Sequence, residues 1–128
     1  MDLTYASVCS GIEAPSVAWH SLGWKPLWFS EIEPFPCALL KERYPTVPNL
    51  GDMTLLEQRD DLPVPDVFIG GTPCTAFSTA GLRGGLEDPR GNLALVFCRL
   101  VGKLRPQWVI WENVPGVLSI LTFNHFYI

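Results

Sequence analysis

At 128 residues the chain is long enough for one domain with a real core, and 48% apolar against 17% charged residues excludes a disordered protein. The net charge of -4 supplies no basic footprint, so any nucleic-acid role has to come from a local site or from parts outside this chain. Cys9, Cys37, Cys74 and Cys98 are widely spaced and His20 and His125 stand alone, which argues against zinc; with no signal-peptide pattern and no apolar run near about 20 residues, a cytoplasmic protein with reduced thiols and no membrane partner is expected.

Leu3 to Val8 reads as a first strand, followed by a turn at Cys9-Ser10-Gly11. Pro15 suits the first turn of a helix, Ala14, Val17, Ala18 and Leu22 recur at helical spacing, and Gly23 suits its end. Lys25 to Ser30 reads as a second strand ending at Glu31, and residues 34–44 as a second helix stopped before Pro45. Val47 to Leu50 is a short third strand before Gly51-Asp52, Leu62 to Pro65 is a loop, and Asp66 to Ile69 is a fourth strand. A Gly-rich loop spans Gly70 to Gly91. Asn92 is placed to cap the next helix, whose residues Leu93, Val96, Phe97, Leu100, Val101 and Leu104 form one apolar face. Gln107 to Trp111 is a fifth strand. Alternating helices and nearly continuous apolar strands predict an α/β fold, a doubly wound, mostly parallel sheet covered on both faces.

Ligands of such sheets bind beyond the carboxyl ends of the strands. Ser10-Gly11 allows close backbone approach there, Glu31 stands where an acid accepts from ribose hydroxyls, and Asp52 where one accepts from an adenine amine. Each also has an ordinary reading: a plain turn, a solvated strand-end acid, and the cap of the following turn. The first turn holds a single glycine and does not match G-x-G-x-x-G.

Cys37 and Cys98 fall within helical apolar patterns and are read as small buried hydrophobes. Cys74 differs, because Gly70-Gly71 permits close approach of a ligand and Pro73 stiffens the backbone before the thiol. A nucleophile there needs a lowered pKa, for which Arg83 and Arg90 are the candidate cations. Glu112 follows Trp111 in an aromatic, half-buried setting that would favour proton donation; the ordinary reading of Glu112-Asn113 is a polar turn.

Ser7-Val8-Cys9-Ser10-Gly11-Ile12-Glu13-Ala14, Ser30-Glu31-Ile32-Glu33-Pro34, Gly51-Asp52-Met53-Thr54, Gly71-Thr72-Pro73-Cys74, Asp88-Pro89-Arg90-Gly91-Asn92-Leu93 and Glu112-Asn113-Val114-Pro115 occur in this order. Together they resemble the amino-terminal half of the S-adenosylmethionine-dependent DNA (cytosine-5) methyltransferases, over residues 1–119. The resemblance implies a partial Rossmann-like methyltransferase fold, often paired with restriction. It implies that Cys74 attacks C6 of a cytosine flipped out of double-stranded DNA, with Glu112 at N3 and Asn113 bracing the Pro-Cys loop. It implies that Ser10 and Gly11 line the methionine part of the cofactor, Glu31 the ribose, Ile32, Asp52 and Met53 the adenine, and that Pro73 and Leu93 border it.

Thr75 departs from the family's usual glutamine, and Cys9 from its common aromatic. Glu13 stands where a small residue is usual and is expected to crowd the cofactor pocket. Residues 120–128 match none of the family pattern, which would continue into further strands and a target recognition domain; they read as an apolar, β-prone tail of a truncated chain. The alternatives are an inactive remnant that at most binds S-adenosylmethionine or complements a second polypeptide, and a nicotinamide-dependent oxidoreductase, which the missing G-x-G-x-x-G disfavours.

Overall fold

The structure, a computed structural model, describes residues 2–73 and 92–116. Strands β1 (Thr4–Val8), β2 (Lys25–Ser30), β3 (Val67–Gly71) and β4 (Trp108–Glu112) run parallel in the order β2-β1-β3-β4. Between them lie α1 (Ala14–Trp19), α2 (Pro34–Arg43) and α3 (Asn92–Leu104), with 3₁₀ turns at His20–Leu22 and Met53–Gln58. The doubly wound parallel sheet expected from the sequence is present, and its winding reverses between β1 and β3.

Side chains alternate across the sheet and so build two cores. On one face Ala6, Val8, Trp28 and Phe68 meet Val96, Phe97, Leu100 and Leu104 of α3, together with Met53 and Leu56. The apolar stripe read from the sequence of α3 is the stripe that packs here. Gly70 faces the same layer, and a Cβ on it would lie 2.6 Å from Phe97 and 2.8 Å from Val8. Its missing side chain lets α3 approach the sheet, with Phe97 stacked on Phe68 at a centroid distance of 5.0 Å. On the other face Tyr5, Phe29 and Val67 join Leu40 of α2, with Trp19 and Trp24 against them.

Residues 47–50 do not form the third strand expected of them. One isolated bridge joins Phe29 to Asn49, made by Phe29 N–H to Pro48 O (2.9 Å) and Leu50 N–H to Phe29 O (2.8 Å). Pro48 has no N–H to extend a ladder, and Gly51, at φ +75°, turns the chain away. The sheet therefore has four strands among the described residues. The first helix is shorter than its pattern and ends in a 3₁₀ turn, closed by Gly23 at φ +74°. Cys98 is exposed and not buried, because α3 commits its neighbour Phe97 to the core and successive residues point about 100° apart. Cys37 is half-buried and its thiol donates to Glu31 O at 3.2 Å. On β4, the edge strand among the described residues, Trp108, Val109 and Ile110 are 60%, 43% and 42% exposed and present an open apolar side.

Candidate functional site

The carboxyl ends of β1 and β2 are tied by Glu31, the first residue beyond β2. Its carboxylate is buried and accepts three backbone N–H groups: Gly11 at 2.6 Å through Oε2, and Ile32 at 2.8 Å and Glu33 at 2.9 Å through Oε1. The turn after β1 is shaped to present that donor, with Cys9 at φ 51° and Gly11 at φ 56°. Only Gly adopts such angles without cost, and a Cβ at Gly11 would meet nothing within 4 Å, so the glycine is required by conformation and not by space. Ser10 completes the joint. Its N–H reaches Ser30 O (3.3 Å), its Oγ accepts from Ser30 N–H (3.2 Å), and its hydroxyl meets that of Ser7 (2.7 Å).

Beyond this joint lies a cavity of about 260 Å³ whose wall includes Glu31, Ile32, Asp52, Met53, Pro73 and Leu93. Six residues that the sequence assigned to one ligand thus come together around one space. Glu33 adds a third carboxylate to the wall, and no Lys or Arg lines it among the described residues. Ile32 is 65% exposed on the rim, while Met53 is buried and takes the Cys9 thiol at 3.6 Å. Asp52 does cap the next turn, its Oδ1 accepting from Thr54 N–H (2.9 Å) and Oγ1 (2.8 Å), yet it also borders the cavity. Burial, with the Glu31 carboxylate second, pushes the Cys9 thiol up to about 11.

Ser10 lines a neighbouring cavity of about 440 Å³, and Gly11 lines neither, its N–H being spent on Glu31. Cys9 forms part of both walls. Glu13 does not enter the smaller cavity but lines the larger one with Ser10. It turns inward, is fully buried at φ 62°, and accepts the Ser7 and Ser16 hydroxyls; Tyr5 meets Ser16 in turn at 2.6 Å. Burial pushes the Glu13 carboxyl up, and burial pushes the Tyr5 hydroxyl up to about 12. Its place in this buried network had no signal in the sequence, because a glutamate in the left-handed region is not a recognisable pattern.

Glu112 ends β4 opposite Gly71, where a Cβ on Gly71 would come 3.2 Å from Glu112 Oε2. Glu112 is exposed and not half-buried as expected, at the end of the strand that lies at the edge of the sheet among the described residues. Asn113 holds the chain leaving β3: its Nδ2 donates to Thr72 Oγ1 (3.1 Å) and Thr72 O (3.3 Å), and Trp111 Nε1 donates to the same hydroxyl (3.0 Å). Thr72 is buried, two positions before the candidate nucleophile. Cys74 itself, Arg83 and Arg90 on its loop, and the tail 120–128 lie outside the described residues. The roles of Asn49 and Thr72 leave no periodic trace in the sequence, for Asn49 acts through side-chain bonds to backbone and Thr72 through a hydroxyl that accepts from the Asn113 and Trp111 side chains.

A model of the C-5 cytosine-specific DNA methylase family matches residues 3–127. The chain is 54% identical over 130 residues to a protein of Escherichia phage P1 named DNA N-6-adenine-methyltransferase, a match covering 92% of this chain and 17% of that protein. It is 35% identical over 127 residues to the type II methyltransferase M.AquIA of Picosynechococcus, covering 93% of this chain and 51% of the relative. The chain thus spans about half of one of these relatives and about a sixth of the other. A solved prophage-encoded E. coli structure, described as a DNA modification methyltransferase, superposes with a TM-score of 0.71 at 25% identity, over 95% of this chain and 36% of that one. The Entamoeba histolytica methyltransferase EhMeth shares the fold, with a TM-score of 0.66 at 14% identity over 99% of this chain and 45% of its own.

Proposed function

We propose that this chain, which belongs to the C-5 cytosine-specific DNA methylase family, carries the S-adenosylmethionine site and the nucleophile of a DNA cytosine-5 methyltransferase. The observation that carries this reading is the smaller cavity, which gathers Glu31, Ile32, Asp52, Met53, Pro73 and Leu93 at the carboxyl end of β2. Its chemistry fits a cationic nucleoside. Carboxylates suit hydroxyl and amine donors, the apolar Ile32, Met53 and Leu93 suit a ring, and three acids without a basic partner in the wall favour positive charge. A nicotinamide dinucleotide is disfavoured by the same wall, because its diphosphate would face those acids and the Gly11 N–H is committed to Glu31. Glu31 offers one lone-pair site on Oε2 beyond its three backbone partners, which sets a limit of one further ribose bond while the turn keeps this shape.

When bound, S-adenosylmethionine supplies an electrophilic methyl group. The residues of this chain prepare its acceptor. Cys74, as thiolate, adds to C6 of a cytosine extruded from double-stranded DNA, and Glu112 gives a proton to N3, so the electron pair moves to C5 and makes that carbon nucleophilic. After methylation a base removes the C5 proton, the C5–C6 double bond re-forms, Cys74 leaves as thiolate, and the N3 proton returns to Glu112. Asn113 and Trp111 serve by holding Thr72, hence the start of the segment that bears the nucleophile.

Two measurements on the full chain test the reading. Calorimetry is expected to detect S-adenosylmethionine and not NAD, and heat from NAD alone would overturn the cofactor assignment. A duplex containing 5-fluorocytosine is expected to trap a covalent adduct that Cys74→Ala abolishes, since fluorine at C5 blocks the elimination step. A second reading is favoured by the name of the phage P1 relative: methylation of adenine N6, which needs no thiol addition. Because the aligned segment is 17% of that protein, the name need not describe this part of it. Transfer of label from S-adenosylmethionine to adenine, without any adduct, would decide for it. A second polypeptide completing the enzyme is also proposed, on the open apolar side of β4; adducts that form only when such a chain is added would support it.

A further inference from the structure

We infer that Asn49 is a positioning residue for the cofactor cavity, its side-chain amide fixing the distance between the Glu31 wall and the Gly51-Asp52 wall. The inference rests on the reading of that cavity as an S-adenosylmethionine site. Asn49 Oδ1 accepts from Glu31 N–H at 3.0 Å and from Gly51 N–H at 3.2 Å, while Nδ2 donates to Glu31 O at 3.1 Å and to the Cys37 thiol at 3.3 Å. Backbone N–H groups only donate and carbonyls only accept, so this orientation of the amide satisfies every partner and the flipped one satisfies none of the backbone groups.

The two bonds to Glu31 are those that a neighbouring strand residue would make with its own backbone. Here no backbone is positioned to make them, because the ladder stops at the single Phe29–Asn49 bridge and the chain turns off at Gly51. The side chain extends the sheet by one residue beyond the point where Pro48 and Gly51 end it. One other tie joins the walls, Ser30 Oγ donating to Gly51 O at 2.6 Å. Neither the Glu31 nor the Asp52 carboxylate can replace Asn49, because a carboxylate has no N–H to donate to Glu31 O as Asn49 Nδ2 does. Asn49 is itself exposed and is not a core residue, which separates positioning from packing.

Calorimetry of the full chain with S-adenosylmethionine tests this. Asn49→Ala is expected to weaken binding roughly tenfold, the scale of one to two lost hydrogen bonds. Asn49→Asp is expected to weaken it further, since it loses the donor to Glu31 O and adds a carboxylate to an acidic wall. The thermal midpoint of Asn49→Ala serves as the control for folding. The decisive readout is a cycle with Asp52→Asn: if Asn49 acts by placing that wall, its removal costs much less than tenfold in the Asp52→Asn background, whereas a general structural effect costs the same in both. Wild-type binding with an unaffected Asn49→Ala variant, or equal losses in both backgrounds, overturns the inference alone. No binding by the wild type overturns the cofactor reading and this inference with it.

Discussion

The two sides of the sheet are finished to different degrees. At the β1–β2 side, the strand ends are tied to backbone by polar side chains: Glu31 to three N–H groups, Asn49 to Glu31 and Gly51, Ser10 to Ser30. At the β3–β4 side, Trp108, Val109 and Ile110 are exposed, and the polar ties at the carboxyl ends among the described residues centre on Thr72. A cavity that must hold a small ligand in one geometry needs its donors fixed before the ligand arrives, which costs the ligand less ordering. An edge strand with exposed apolar residues has the opposite character, that of a surface awaiting cover.

Removing the packing common to both sides gives the largest effect. Phe68→Ala empties a fully buried site between Trp28 and Phe97, and urea unfolding is expected to show a loss of about 3–5 kcal/mol. Glu31→Gln is next. It replaces acceptors of three backbone N–H groups with an amide that brings its own donors, and a loss of about 1.5–3 kcal/mol together with loss of S-adenosylmethionine binding is the expected outcome.

Glu13→Gln sharpens the comparison through pH. The Glu13 carboxyl is raised by burial, so the folded chain binds this proton more tightly than the unfolded chain does. Its contribution is then fully present below the ordinary glutamate value, declines as pH rises through the folded value, and is flat above that. Glu13→Gln is expected to remove that decline, read as a shallower fall in stability on raising pH from acid toward neutral; an unchanged slope would assign it to other groups. Ile110→Thr gives the smallest effect, within about 0.5 kcal/mol, if the β4 side is open to solvent. A loss of several times that would mean the side is covered in solution.

The elements most legible in the sequence were those whose burial sets a period. The apolar runs of β1, β2, β3 and β4 and the stripe of α3 follow from faces that must be covered. The short segment around Pro48 failed as a strand because alternation says nothing about a missing N–H or a left-handed glycine. Cys98 was misplaced since the pattern cannot say on which side of Phe97 the core ends. The cavity residues were recognisable through resemblance, residue by residue. Asn49 was not, because three of its four bonds go to backbone atoms that every residue possesses, and the fourth to the Cys37 thiol.

Thr72 has a mechanical consequence. Its hydroxyl and carbonyl are gripped from β4 by Trp111 and Asn113, so the chain departs β3 from a fixed pivot whose direction is set before the next residue begins. Thr72→Val removes the acceptor that Trp111 and Asn113 share, and so loosens the point from which the chain passes to Pro73 in the wall of the cavity.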